Sequence, residues 1–177
     1  MIQRLPLILL AGLILIGFTT SAEARKPARV FGGKVILSKT PFPGAFKSDR
    51  AFIRHMKKVN VRKVSYPKSG TLNLEFMAFF RKAKRATEFI AIVYDLSDRG
   101  RQAISFPIMP NQRTTQILAS GFTMTKKDFP VEHKYRLVVS LGGRILAETK
   151  FAIKETKAER EERKQKEKAL RRQKVDF

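Results

Sequence analysis

Residues 135–153 read YRLVVSL-GG-RILAETKFAI, and this stretch decides the fold. Tyr135, Leu137, Val139 and Leu141 recur at every second position, the period of a strand rather than a helix. After Gly142-Gly143 the alternation resumes, with Ala147, Thr149, Phe151 and Ile153 on one face. Two alternating runs joined by a two-residue glycine turn spell a tight β-hairpin.

Upstream, the same period recurs in shorter pieces. Val61–Tyr66 is expected as a short strand closed by Pro67-Lys68-Ser69-Gly70. Thr71–Arg81 follows, with Leu72, Leu74, Phe76, Ala78 and Phe80 on one face. Met77 and Phe79 make its centre apolar on the other face too. Glu88–Ser97 is almost continuously apolar, as suits the middle of a sheet. Asp98-Arg99-Gly100 is a turn, and Gln102–Ile108 is a strand that Pro107 assigns to an edge. Thr114–Ala119 and Phe122–Thr125 read as two further strands around Ser120-Gly121, and Val30–Leu37 as a first strand around Gly32-Gly33. Arg25–Arg29 reads as a mobile basic leader, and Thr40–Gly44, with two prolines, as a loop.

One body segment has helical spacing. Ser48 can cap Ser48–Asn60, Asp49 favours its first turn, and Phe52, Ile53, Met56 and Val59 share a face. Short strands every 8–12 residues or so with turns between them imply an all-β fold. The expectation is an antiparallel immunoglobulin-like β-sandwich of about seven to nine strands with one short helix. Asp128-Phe129-Pro130 followed by Tyr135 resembles the corner before the penultimate strand of immunoglobulin-like domains. The resemblance is architectural, because Cys and Trp are both absent.

Residues 154–177 change character. They lack Gly and Pro and are mostly Lys, Glu, Arg, Gln and Ala, so a charged helical tail is expected. Glu159–Arg163, Glu162–Lys166 and Glu167–Arg171 are spaced for pairs along one face. Residues 1–24 read as a secretory signal peptide: Arg4, then the apolar run Leu5–Phe18, then Ala22-Glu23-Ala24 as a small-x-small cleavage site. The organisation expected is therefore a leader over 1–24, a β-sandwich over 25–153 and the tail over 154–177. The alternative is a retained membrane anchor, since the apolar segment stretched to Ala22 reaches the lower limit of about 18 residues for a span. Pro6 and Thr19-Thr20-Ser21 weaken that reading.

Composition narrows function. With no cysteine, thiolate metal sites and cysteine nucleophiles are excluded. Two histidines, His55 and His133, are too few for a His-rich metal site, and both read as surface residues. No G-x-S-x-G elbow occurs. Asp95 and Asp98 bracket a turn, where carboxylates accept backbone bonds. No catalytic, metal or cofactor site is therefore assigned, and the protein reads as non-enzymatic.

The remaining signal is charge. The chain carries 37 Lys+Arg against 15 Asp+Glu, net +22. Residues 25–153 hold 26 of the basic and 8 of the acidic side chains, so the body, rather than the tail, carries most of the excess. Solubility needs a net charge of only about 2–8 in a small domain. Three basic clusters stand out: Lys57-Lys58 with Arg62-Lys63, Arg81-Lys82 with Lys84-Arg85, and Lys126-Lys127. Arg81–Arg85 is expected as a connection between strands, where four cations could grip phosphate or sulfate groups. The anion-binding set expected is Arg81, Lys82, Lys84, Arg85, Lys57, Lys58, Arg62 and Lys63.

Two functions follow. The first is an exported binding or structural module on an anionic surface: lipopolysaccharide, phospholipid or acidic polysaccharide. The second is an interaction subunit of an envelope complex, docking an acidic protein through edge strands or the tail. Nucleic acid is not favoured, because the aromatics fall at core periods instead of on stacking surfaces.

Overall fold

The computed structural model describes residues 26–173; the expected leader and the last four residues lie outside them. The elements are α1 (Pro27–Phe31), β1 (Lys34–Ser38), α2 (Asp49–Val59), β2 (Lys63–Val64), β3 (Thr71–Arg85), β4 (Phe89–Asp95), β5 (Arg101–Ile108), β6 (Thr114–Thr125), β7 (Lys134–Leu141), β8 (Arg144–Ile153) and α3 (Lys157–Gln173). The protein is mostly β, a curled mixed sheet followed by a C-terminal helix.

The strand order is β5-β4-β7-β8-β1-β3-β6, with β2 beside β8. Most neighbours are antiparallel, and the hairpin of β7 and β8 pairs Leu141 with Arg144 across the two glycines. An antiparallel sheet throughout was the expectation. Instead β8 pairs in parallel with β1, through Lys34 and Glu148, and with β2. The chain between these partners is long enough for such a crossover. Both parallel contacts are short.

The curl brings the two ends of the strand order across one interior. Phe106 of β5 lies 6.4 Å from Phe76 of β3 and 5.9 Å from Phe122 of β6, ring centre to ring centre. Leu37, Leu74, Phe80, Phe89, Leu137 and Ile153 are fully buried in the same cluster. Each such side chain contributes about 1.5–3 kcal/mol by leaving water. On the opposite face of β1 and β3, Ile36, Met77 and Phe79 meet Met56 of α2 and Phe31 of α1. This second cluster explains the double-sided apolar centre of β3. Helix α2 starts as its sequence dictates, Ser48 Oγ accepting the Ala51 N–H at 3.2 Å.

Several boundaries differ from the sequence reading. Arg25 lies outside the described residues, and residues 26–29 and Val30-Phe31 do not make a leader and a strand. Pro27, pre-set for a first helical turn, opens α1, and β1 begins only after Gly33, whose φ is +82°. The strand expected over 61–66 shrinks to two residues, because Tyr66 turns inward and donates its hydroxyl to the carbonyls of Thr125 (2.9 Å) and Phe129 (2.8 Å). The two strands expected around Ser120-Gly121 are one, β6. Gly121 lies opposite Glu75, and a Cβ there would stand 2.9 Å from both Glu75 carboxylate oxygens. The glycine is therefore room for a neighbour, not a break.

Pro107 does lie in an edge strand, β5. The carboxylate of Asp95 does cap a turn, accepting the N–H of Ser97 at 2.9 Å, and it also meets His133 Nδ1 at 2.7 Å. His133 is therefore tethered to a buried carboxylate and is not a free surface residue. Residues 126–133 are held from both sides, since Tyr135 donates its hydroxyl to Pro130 at 2.9 Å.

Candidate anion-binding cleft

Arg81–Arg85, expected as a connection, is the outer end of β3. Its pairing with β6 continues through Lys84–Thr115 and Arg85–Thr114, after residues 80–83 bulge opposite the single residue Gln116. A bulge bends a strand and re-aims its side chains. The Gln116 amide donates to the Arg81 carbonyl at 3.4 Å, so the sheet side of the bulge is partly satisfied. The displaced residues face β8 instead.

Between them is a cleft of about 550 Å³ lined by Gly33, Phe80, Arg81, Lys82, Lys84 and residues 145–148. It exists because β1 stops at Gly33, where the chain turns off into α1, while β3 and β8 run on. Arg81 lies along the Gly32-Gly33 turn: a Cβ on Gly33 would stand 3.3 Å from its Nε. The floor is apolar, with Phe80 and Ala147 buried, and exposed Ile145 stands at the rim.

A second cleft of about 260 Å³ adjoins it, lined by Lys34, Asn60, Arg62, Thr149 and Lys150 among others. Glu148 borders both clefts. Its carboxylate is occupied by Arg136, whose Nε donates to Oε2 at 3.0 Å. Along the two clefts the cations Arg62, Lys34, Lys150, Arg81, Lys82 and Lys84 thus meet one carboxylate, and that one is already paired.

Of the eight residues singled out by sequence, Arg81, Lys82 and Lys84 line the first cleft and Arg62 the second. Lys57 and Lys58 lie in the last turn of α2, where cations suit the helix terminus. Lys63 is in β2, opposite Ala152, and Arg85 is at the tip of β3; none of these four lines either cleft. None of the eight forms an ion pair among the described residues. Sequence reasoning missed Lys34, Lys150 and Arg136. Each is a lone cation in an alternating strand, and the pairing of β8 with both β1 and β2 brings the first two beside Arg62.

Unpaired guanidinium and ammonium groups over an apolar floor can hold a phosphate, sulfate or carboxylate by charge-assisted hydrogen bonds. Among the described residues no group of three or more His, Asp or Glu is placed to hold a metal, and no helix is long and apolar enough to cross a membrane. The chain matches no protein-family model, and no curated protein is similar to it.

Proposed function

We propose that this protein is an exported, non-enzymatic binding module that engages an anionic envelope surface through the paired clefts. The observation that carries the reading is the run of unpaired cations from Arg62 to Lys84. The ligand class is a phosphate- or sulfate-bearing surface: lipopolysaccharide, anionic phospholipid or acidic polysaccharide. We also read the curled sheet as an immunoglobulin-like sandwich, with β1-β3-β6 as one layer and β5-β4-β7-β8 as the other. The Tyr135 hydroxyl bonded back to Pro130 at the start of β7 supports this, since it matches the tyrosine corner of such domains.

The test is binding of purified protein to anionic phospholipid vesicles and to dextran sulfate as salt rises. Replacing Arg81, Lys82 and Lys84 by alanine should weaken retention at least tenfold. Replacing Lys39, Lys47 and Lys68, an equal charge elsewhere, should weaken it less than threefold. Retention unchanged at about 0.5 M salt, where screening is strong, or equal losses from the two triple variants, would reject the cleft. Vesicles without dextran sulfate would identify a lipid headgroup, and both together a sulfate or phosphate of either source.

A further inference from the structure

The two outer strands of the sheet differ in how they are guarded. β5 is eight residues long, carries Pro107, and its pairing with β4 is broken by a bulge at Val93/Tyr94. Proline and bulges are how natural sheets blunt an edge against unwanted pairing. β6 has twelve residues, TTQILASGFTMT, without one charged residue or proline, in a chain with a net charge of +22. Among the described residues no strand pairs with its outer side. Beside its first half is a cleft of about 270 Å³, lined by Met109, Pro110, Thr115, Ile117 and Leu118 among others. Met109 is 65% exposed and Ile117 36%, so two apolar side chains wait beside a strand edge on which the Ile117 carbonyl accepts the Thr115 hydroxyl at 2.5 Å.

An open edge plus a neighbouring side-chain pocket is the equipment for strand addition: the backbone ladder supplies affinity and the pocket selects the register. The flanks select the partner. Arg85 and Arg113 stand at the start of β6 and Lys127 just past its end, and none is in an ion pair among the described residues. A second copy pairing antiparallel would bring Arg113 against Lys127 of its mate at both ends, and like charges there oppose pairing. We infer that β6 docks an extended segment of a different protein, uncharged and alternating in its centre, acidic at its ends, with one apolar side chain seated between Met109 and Ile117.

The probes are three labelled peptides of about ten residues. One alternates isoleucine and threonine between acidic ends, its twin has lysine ends, and the third is the acidic peptide with a central proline. Fluorescence anisotropy on the full chain should show the acidic-ended peptide binding at least tenfold more tightly than either of the others. Ile117→Lys should abolish that binding while Ser105→Lys, at an exposed position on β5, leaves it within twofold. Should Ile117→Lys fail to fold, Thr115→Lys serves in its place. No binding of the acidic peptide below about 1 mM, equal binding of the acidic- and lysine-ended peptides, or indifference to the β6 variants would overturn the inference. So would a stable dimer in sedimentation that Ile117→Lys dissolves, which would make the occupant a second copy. The cleft variants at Arg81, Lys82 and Lys84 keep the β3 backbone that pairs with β6 and change only side chains lining the other cleft, so failure of the anionic-surface reading is separately visible.

Discussion

β5 and β6 border the same sheet, yet one is armoured and the other is anchored. β5 relies on local devices: a proline, a bulge and short length. Its ties to the interior are Ile108, buried at the strand's end, and Phe106, half-buried between Phe76 and Phe122. β6 has no proline and is longer, and the bulge in its pairing lies in β3, but Leu118, Phe122 and Met124 are buried, and Tyr66 holds its last carbonyl. Beyond that carbonyl, the Lys126 ammonium bonds to Glu159, the first acidic residue of α3. The lesson is that an edge can be kept in place without being closed to pairing.

Four experiments sharpen or break this contrast. Phe122→Ala should cost about 3–4 kcal/mol in denaturant unfolding, whereas Phe106→Ala, at a site with less to empty, should cost about 1–2 kcal/mol. Equal losses would mean that β5 is as firmly anchored as β6.

Tyr66→Phe removes the donor to two carbonyls and should cost about 1–2 kcal/mol. Burial, then the charge of Asp128, pushes the Tyr66 hydroxyl up to about 12; burial first, then Asp95, raises Tyr135 as well. The folded protein therefore holds these protons more tightly than the unfolded chain does. Their contribution is complete below about pH 10 and is lost as pH rises through about 12. A denaturation midpoint flat across that window, or one falling as steeply in Tyr66→Phe, would contradict the assignment.

Glu159→Gln should have a smaller effect, about 0.5 kcal/mol, because the pair is partly exposed. The Lys126 hydrogen bond first, then the Thr156 N–H and hydroxyl, lower the Glu159 carboxyl to about 2. Its contribution is therefore present above the usual value of 4.5 and is lost as pH falls towards about 2. Amide exchange at the start of α3 should quicken across that acid window in the wild type and much less in Glu159→Gln. Pro107→Val should change stability least, by under about 0.5 kcal/mol on an exposed edge position. It should nonetheless make the protein self-associate in sedimentation at high concentration, because β5 loses its guard.

The parts of the fold legible in sequence were those with a local signal. The hairpin of β7 and β8 has its period and its glycines, α2 has its cap, and Pro107 marks an edge. The misread parts depend on neighbours distant in sequence. Gly121 looks like a turn until Glu75 is set beside it, and Arg81–Arg85 looks like a loop until Gln116 accommodates its bulge. Two local signals were passed over: Pro27, which opens α1, and Thr156 with Glu159, which form a capping box, the Thr156 N–H donating to the Glu159 carboxylate at 2.8 Å and the Glu159 N–H to the Thr156 hydroxyl at 3.2 Å. Glu159 therefore serves Thr156 and Lys126 in place of the expected Arg163, which turns to Glu155. Glu162 and Lys166 pair as their spacing indicates. For the cleft, charge alone marked Arg81, Lys82, Lys84 and Arg62, but nothing local says that Lys34 and Lys150 join them.

The pairing of Lys34 with Glu148 also sets a clock. These walls of the cleft are 114 positions apart in the chain, so the site cannot exist until the final hairpin has been made and has folded back onto β1. Contacts of such long range close late and slowly. A nascent or partly folded chain carries the same positive charges but no pocket to focus them. The pocket is thus a property of the finished molecule, absent while the chain is still folding.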